Sequence, residues 1–349
     1  MGAEQPRGVD VEPVTAWFAE HVPGASPPLE FELIAGGHSN LTFGVRDAAG
    51  NRFVLRRPPL GHVLATAHDM GREHRIISAL GPTDVPVPPA LGLCTDEAVN
   101  GAPFYVMGFV EGHILRDAKA AEAALDEEHR RRAGESVVDV LARIHAVDVD
   151  AVGLGDLGKR EGYLTRQLKR WYGQFESSNA ETKRPVPLVH EVHERLAGAL
   201  PEQQGTAIVH GDYRLDNCMV AADGELAAVL DWELCTLGDP LADLGLLVVY
   251  WTERDDSQAA LLTAPTTASG FPSRKEMIAR YAATSDRDLS ALDVYVAFGY
   301  WKLACILEGV YARYAAGAMG DATGFEAFEA QVAALARLAA GTRDRAGIG

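Results

Sequence analysis

Two kinds of hydrophobic pattern divide the chain. Short apolar runs bounded by turn residues predict strands over 31–34, 41–46 and 52–57, since alternate side chains of a strand share one face. Apolar residues at helical spacing predict helices over 14–21, 67–80, 127–145, 158–175, 189–200, 245–251, 274–281, 293–316 and 325–340. The polar stretch 177–184 is predicted to be a loop. The pattern indicates an α+β protein whose strands gather near the N-terminus.

A polar turn between two apolar runs is the main chemical feature of the second half. Residues 209–220 contain His210, Asp212 and Asn217 in the spacing H-x-D-x-x-x-x-N, and a second apolar run ends at Asp231, fourteen residues after Asn217. Two short strands that each deliver a carboxylate or an amide suit phosphoryl transfer. In such a site one Asp accepts a hydroxyl proton, while the Asn and the second Asp hold Mg²⁺. The alternative is a pair of hairpins with solvated acidic ends.

This spacing, with the Leu-Asp-Trp that follows it, resembles the aminoglycoside phosphotransferase and choline kinase branch of the protein-kinase-like fold. The resemblance implies a bilobal α+β molecule with ATP and Mg²⁺ as cofactors. A small β-rich nucleotide-binding lobe would cover residues 1–108, and a larger, mostly helical catalytic and substrate-binding lobe would cover 109–349. The hinge would lie near 108–112.

The resemblance also implies roles for individual residues. Asp212 matches the catalytic base, and Asn217 and Asp231 match the metal ligands. His210 matches the structural histidine that orders the catalytic loop.

Other polar residues near the motif have open interpretations. Arg214 stands where protein kinases keep a lysine and is a candidate for stabilising the transferred phosphoryl group. A structural ion pair with Asp216 or Asp239 is the alternative for it. Asp243 is expected to support the catalytic loop through hydrogen bonds. Glu233 is expected to be a solvated charge at a strand end, and contact with the metal or the substrate is the alternative for it.

Backbone groups at two places are expected to hold the nucleotide. The turn 35–40 is rich in glycine, which allows backbone N–H groups to approach phosphate oxygens closely, and it places Ser39 and Asn40 among the cofactor-binding residues. Taken alone, this turn is equally compatible with a plain hairpin. At the hinge, the Gly108 carbonyl and the Val110 amide are expected to meet adenine.

The strand over 52–57 directs Val54 and Arg56 to the same face. The resemblance implies that Val54 packs on adenine and that Arg56 replaces the usual Lys. Arg keeps the charge and can bind phosphate bidentately, so ATP binding should be retained. Glu73, on the next helix, is the expected partner of Arg56. The alternatives are solvated edge arginines and an ordinary surface ion pair for Glu73.

Composition and charge exclude several other classes. The chain has 349 residues, of which 47% are hydrophobic and 23% charged, as in soluble globular proteins. A net charge of -17 argues against a nucleic-acid partner. Four scattered cysteines, no apolar N-terminal segment and no run long enough to span a bilayer predict a cytoplasmic protein with no membrane partner. The oligomeric state cannot be read from the sequence.

The acceptor is predicted to be a small molecule that carries a hydroxyl group. A protein kinase needs a long activation segment after the second acidic motif, and residues 234–237 are too few to form one. The stretch 295–308 is apolar on nearly every side and predicts a buried helix, although Tyr300 or Lys302 could line an acceptor pocket.

A closer resemblance suggests the acceptor class. Residues 54–59 followed by 67–73 resemble the kinase-like domain fused to some acyl-CoA dehydrogenases, which favours a hydroxyacyl-CoA over an aminoglycoside. A nucleotide-binding pseudokinase or scaffold without turnover is the alternative function, and Arg56 in place of Lys would suit it. Against this, a scaffold has no physical need for the intact base and both metal ligands.

Overall fold

The computed structural model describes residues 6–35, 40–60, 69–256, 264–317 and 327–347. Within these ranges one five-stranded sheet is built from β1 Leu29–Ala35, β2 Leu41–Asp47, β3 Arg52–Arg57, β4 Ala90–Cys94 and β5 Phe104–Gly108. The order in the sheet is β1-β2-β3-β5-β4, and every pairing is antiparallel.

The two faces of this sheet bury different cores. Helix α1 (Val11–His21) covers one face, where Phe18 packs in an apolar cluster with Leu55. The opposite face carries Val54, which belongs to the larger core shared with α2 (Met70–Leu80). The alternation along β3 therefore separates core residues from residues that face the rest of the molecule.

The short helix α3 (Glu97–Asn100) lies between β4 and β5 and packs against α1. The other helices form a larger, mostly helical part. They are α4 Ala118–Ala124, α5 Glu127–Ala146, α6 Tyr163–Thr182, α7 Pro187–Gly198, α8 Leu241–Tyr250, α9 Arg274–Thr284, α10 Leu292–Ala315 and α11 Ala327–Arg345. Helix α10 is the centre of this part and packs against α6, α7, α8 and α11. None of the helices in the described ranges has the length and apolar character needed to cross a bilayer.

Two short antiparallel ladders lie between α7 and α8 and carry the polar motif. Strand β6 (Ala207–Val209) pairs with β9 (Thr236–Gly238), and β7 (Cys218–Val220) pairs with β8 (Leu226–Val229). The arrangement confirms the predicted fold class of a small β-rich lobe and a larger helical lobe.

One predicted loop is wrong. The polar stretch from residue 177 was expected to be irregular, but α6 continues to Thr182 and ends where Lys183 adopts a left-handed conformation, with φ of 53°. Thr182 Oγ1 donates a 2.7 Å hydrogen bond to the fully buried carboxylate of Glu308 on α10. Serine and asparagine are weak helix formers in isolation, and this tertiary contact outweighs their propensity. At the other end, α6 begins at Tyr163 rather than 158.

Candidate active site

The turn after β6 is held by one buried carboxylate. Asp243, on the first turn of α8, accepts hydrogen bonds from the backbone N–H of His210 at 2.6 Å and of Gly211 at 2.9 Å. Burial opposes ionisation of Asp243, but hydrogen bonds with His145 and the Gly211 amide keep its pKa below the ordinary value. The expected support of this loop by Asp243 is confirmed.

Gly211 is required by its backbone conformation and by its surroundings. Its φ is +86°, in the left-handed region, and a Cβ built on it would lie 3.0 Å from both the Cβ and the carbonyl oxygen of Leu234. No larger residue fits there without moving the turn that follows Asp231.

His210 connects the two acidic segments. Its ring is fully buried, with Nε2 2.9 Å from the Leu230 carbonyl oxygen and Nδ1 3.3 Å from the Asp212 amide nitrogen. A backbone N–H can only donate, so the proton of the neutral ring belongs on Nε2, which donates to Leu230. The contacts fit the structural role that the sequence implied for His210.

Asp212 and Asn217 are direct neighbours. The Asn217 Nδ2 donates to the backbone oxygen of Asp212 at 2.8 Å and to its Oδ2 at 3.0 Å. Both N–H bonds of the amide are used in this way, which leaves the amide oxygen as the side-chain atom able to coordinate a cation.

Asp231 sits in a strained backbone conformation directly after β8. Its φ is 62° and ψ is 60°, a left-handed geometry that costs about 1–2 kcal/mol for a residue other than glycine. Hydrogen bonds on both sides hold it, from the Leu230 amide to the Asn217 carbonyl at 2.8 Å and from the Trp232 ring to the Val229 carbonyl at 3.1 Å. The strain therefore lies between two fixed residues, next to the cavity described below.

Arg56 bridges the sheet to this strained turn. Its Nε lies 3.1 Å from Glu73 Oε2, and its Nη2 forms an ion pair with Asp231 Oδ1. Burial alone would lower the pKa of Arg56, but Glu73, Tyr105 and Asp231 raise it, so the guanidinium stays charged. The predicted Arg56–Glu73 pair is confirmed. It is not a surface pair, since the two side chains are 14% and 2% exposed.

Tyr105 and Asn40 complete the environment of Glu73. Tyr105 Oη donates to Glu73 Oε2 and Asn40 Nδ2 donates to Glu73 Oε1, both at 3.0 Å. The sequence interpretation missed Tyr105, although β5 pairs it directly with Arg56 and strand alternation gave the necessary signal.

The helix that carries Glu73 is anchored to the helical lobe. Arg72 Nη2 donates to the carbonyl oxygens of Leu157, at 2.9 Å, and Cys235, at 2.7 Å. This contact was not visible in the sequence, because it joins residues more than 80 positions apart. It fixes α2, and with it the Arg56–Glu73 pair, against the turn that follows Asp231.

A cavity of about 340 Å³ lies between the sheet and the helical lobe. Its walls bring together most of the residues that the sequence assigned to nucleotide and metal: Val54, Arg56, Gly108, Val110, Asn217 and Asp231. Apolar side chains such as Met107 and Ile34 form much of the remaining surface. Ser39 lies outside the described residues, and its predicted contact stays a prediction.

Arg214 forms an ion pair with Asp216, which was one of the alternative interpretations for this residue. Its Nη2 pairs with Asp216, and its guanidinium lies 4.7 Å from the centre of the Tyr250 ring. Burial would lower the pKa of Arg214, but Tyr250, Asp212 and Asp216 raise it. Asp239 instead accepts a hydrogen bond from Tyr295 at 2.7 Å. The phosphoryl-stabilising role of Arg214 stays a prediction.

Glu233 differs from the expected solvated charge. It is partly buried beside Asp231, and Asn40 Nδ2 approaches its Oε2 at 3.4 Å. Burial, together with the negative charge of Asp231, raises the pKa of Glu233 to about 7. The sequence missed this because burial at the end of β8 depends on the opposing lobe.

The donor atoms fit a Mg²⁺ ion that arrives with a nucleotide. In the described part of the chain, no group of three or more His, Cys, Asp or Glu could hold a metal ion by itself. Asn217 and Asp231 nevertheless offer hard oxygen ligands on the wall of one cavity. Mg²⁺ is commonly held by one or two carboxylates plus substrate phosphates, which is the set that this cavity would complete.

Solved structures share this architecture. A Ralstonia eutropha JMP134 protein assigned to the aminoglycoside phosphotransferases matches with a TM-score of 0.81 and 31% identity, over 96% of this chain and 98% of that one. Choline kinase from Cryptosporidium parvum Iowa II gives 0.64 at 13% identity, over 97% and 98%. Aminoglycoside phosphotransferase APH(4)-Ia, in a ternary complex with AMP-PNP and hygromycin B, gives 0.61 at 17%, over 95% and 99%.

The curated relatives are named as acyl-CoA dehydrogenase family members rather than as phosphotransferases. Mouse acyl-CoA dehydrogenase family member 10 is 36% identical over 300 residues, and chicken acyl-CoA dehydrogenase family member 11 is 35% identical over 297 residues. The matches cover 85% and 83% of this chain, but only 28% and 37% of those relatives. The chain therefore spans well under half of their length.

The fold is the one found in small-molecule phosphotransferases. The chain belongs to the phosphotransferase enzyme family, which matches residues 30–292. The resemblance inferred from the polar motif is confirmed.

Proposed function

We propose that the protein transfers the γ-phosphoryl group of ATP, with Mg²⁺, to a hydroxyl group of a hydroxyacyl-CoA or an aminoglycoside-like molecule. The observation that carries the proposal is the grouping of Asn217, Asp231 and Arg56 on the wall of one cavity, where Arg56 pairs with Asp231. Asp212 lies beside them and accepts a hydrogen bond from Asn217. These four groups are the minimum for phosphoryl transfer: a base, two cation ligands and a phosphate-binding charge.

Each residue has a definite task in the proposed reaction. Asp212 orients the acceptor hydroxyl and takes its proton as the oxygen bonds to the γ-phosphorus and the bond to ADP breaks. Asn217 and Asp231 would hold Mg²⁺, which would supply positive charge to neutralise the phosphates. Arg56 binds phosphate oxygens. Most of the acceleration comes from positioning and charge stabilisation.

We place the nucleotide between the lobes, with the boundary at the hinge 108–112. Val54 would pack on adenine, while Gly108 and Val110 would offer backbone groups to its edge. Asn40, which donates a hydrogen bond to Glu73, would be the nearest described residue to the phosphates if the glycine-rich sequence before it covers them, as proposed from the sequence. The solved complex of APH(4)-Ia with AMP-PNP supports an adenine nucleotide at this site.

Two groups of relatives suggest different classes of acceptor. The curated relatives are named as acyl-CoA dehydrogenase family members and favour a hydroxyacyl-CoA. The solved relatives, including the complex that contains hygromycin B, favour an aminoglycoside. Sequence identity is higher toward the first group, at 36% and 35%, than toward the Ralstonia eutropha protein at 31% and APH(4)-Ia at 17%, so the hydroxyacyl-CoA is the preferred acceptor.

ADP release tests the proposal. Purified protein with Mg²⁺ and ATP is offered hydroxyacyl-CoAs, aminoglycosides and small amino alcohols, and ADP is measured with a coupled assay. We expect one class, the hydroxyacyl-CoAs first, to stimulate release and to require Mg²⁺. The matched control is the Asp212→Asn variant with the same acceptor. Bound ATP without ADP release from any acceptor would contradict the proposal and favour a nucleotide-binding scaffold.

A further inference from the structure

Lys302 lies in the middle of α10 and points at the loop before Asp212. Its side chain is 7% exposed, and its Nζ donates a 2.8 Å hydrogen bond to the carbonyl oxygen of Gly211. The ring of Trp171 lies 5.4 Å from the ammonium and adds a cation–π contact. The sequence had left Lys302 as a possible wall of an acceptor pocket, but the ammonium faces the protein backbone instead.

The space beside the ammonium is too small to admit a ligand. A void of about 10 Å³ adjoins Lys302, enclosed by residues that include Tyr163, Asp243 and Phe298. That volume is near the lower limit for one water molecule. The ammonium of Lys302 therefore contacts protein atoms rather than a ligand, and its hydrogen bond acts on the Gly211 carbonyl.

Stability does not account for a buried ammonium here. Within the described residues, no carboxylate oxygen forms an ion pair with Lys302; a carbonyl and an aromatic face are its partners. Burial lowers the pKa of Lys302, while the charges of Asp212 and Asp243 oppose that shift. A buried charge without an ionic partner is costly for folding. Positions that are costly for folding are often used for function.

The hydrogen bond fixes the peptide group that leads into Asp212. The Gly211 N–H is held by Asp243 at 2.9 Å, and the Gly211 carbonyl is held by Lys302. That carbonyl shares one planar unit with the Asp212 N–H, so its direction sets the direction of the N–H toward His210. The two hydrogen bonds act on consecutive peptide planes, and together they fix the direction of the backbone that enters Asp212.

We propose that Lys302 is a positioning residue for phosphoryl transfer, which holds the Gly211 carbonyl so that the Asp212 carboxylate faces the acceptor hydroxyl. This inference rests on the proposed function of Asp212. Lys302 touches neither substrate nor nucleotide. It acts through the backbone of the loop, so its removal should affect the rate of the chemical step and leave nucleotide binding intact.

The test compares Lys302→Met with Lys169→Met, a matched change at an exposed position on α6. Methionine keeps the length and volume of the side chain and removes the charge and the donor. We expect kcat of Lys302→Met to fall about 10–100-fold, as for a modest misplacement of a catalytic group. KM for ATP and Kd for ADP should stay unchanged. Amide hydrogen exchange in a peptide that covers 207–219 should become faster without a loss of Tm.

Two results would overturn the proposal. One is a folded Lys302→Met protein whose kcat and loop exchange match those of Lys169→Met. The other is a uniform loss of Tm and ADP affinity with normal kcat per folded molecule, which indicates a purely structural role. If Lys302→Met does not fold, Lys302→Gln is measured in the same way. A wild-type protein without turnover would refute the proposed function separately, while the exchange experiment would still test whether Lys302 fixes the loop.

Discussion

Asp212→Asn should reduce kcat by about 10²–10⁴-fold, the range that general base catalysis contributes. Asparagine has nearly the same shape, and its amide oxygen can still accept the hydrogen bond that Asn217 now donates to Asp212 at 3.0 Å. The loop should therefore keep its geometry, while the side chain loses its ability to take a proton. Steady-state kinetics with the best acceptor, and calorimetric titration with ADP, measure the two effects separately.

The control for this change is Asp84→Asn, an Asp→Asn substitution at an exposed position that does not line the cavity. It should leave kcat and ADP affinity as they are in the wild type. Equal turnover of Asp212→Asn and Asp84→Asn would remove Asp212 from the role of base. Loss of ADP binding in Asp212→Asn would mean that the change disturbs the site as a whole.

Asp231→Asn should abolish most of the Mg²⁺-dependent activity. A metal ion supplies several kcal/mol of charge stabilisation in the transition state, which corresponds to about 10³-fold in rate. Asparagine tolerates the left-handed backbone at φ of 62° as well as aspartate does, so the strained turn should survive the change. The Mg²⁺ concentration that gives half-maximal rate should rise together with the fall in kcat.

Because Arg56 pairs with Asp231, the same variant also tests how Arg56 contributes to nucleotide affinity. With Asp231 neutral, Arg56 keeps Glu73 as its partner and should still bind phosphate. Affinity for ADP measured without Mg²⁺ should therefore stay close to that of the wild type. An unchanged Mg²⁺ dependence in Asp231→Asn would show that the cation is held elsewhere.

Local pattern predicted much of the site because its parts are short and close in sequence. Strand alternation placed Val54 and Arg56 on the cavity side, and motif spacing placed Asp212 beside Asn217. The Arg56–Glu73 pair was predictable because the resemblance fixed which strand and which helix face each other. Each of these inferences needed only a period, a spacing or a known order of elements.

Contacts between distant elements were not predictable in the same way. The bond from Lys302 to Gly211 joins residues 91 positions apart, and Arg72 reaches two carbonyls of the other lobe. In the sequence, Lys302 is one charged residue within an apolar helix. Its neighbours along the chain do not indicate which backbone atom will accept its hydrogen bond. The partial burial of Glu233 was unpredictable for the same reason, since it depends on residues of the opposing lobe such as Asn40.

In the proposed reaction, a phosphoryl group moves from ATP to a hydroxyl group of the acceptor. The most direct measurement follows the isotope: ATP labelled with ¹⁸O in its γ-phosphoryl group is incubated with Mg²⁺, the wild-type protein and the acceptor that releases ADP fastest. Mass spectrometry then identifies the labelled product. We expect a phosphate ester on the acceptor hydroxyl that carries the label, and much less of this ester with Asp212→Asn. Label found only in inorganic phosphate, or retained in ATP, would exclude transfer to the acceptor.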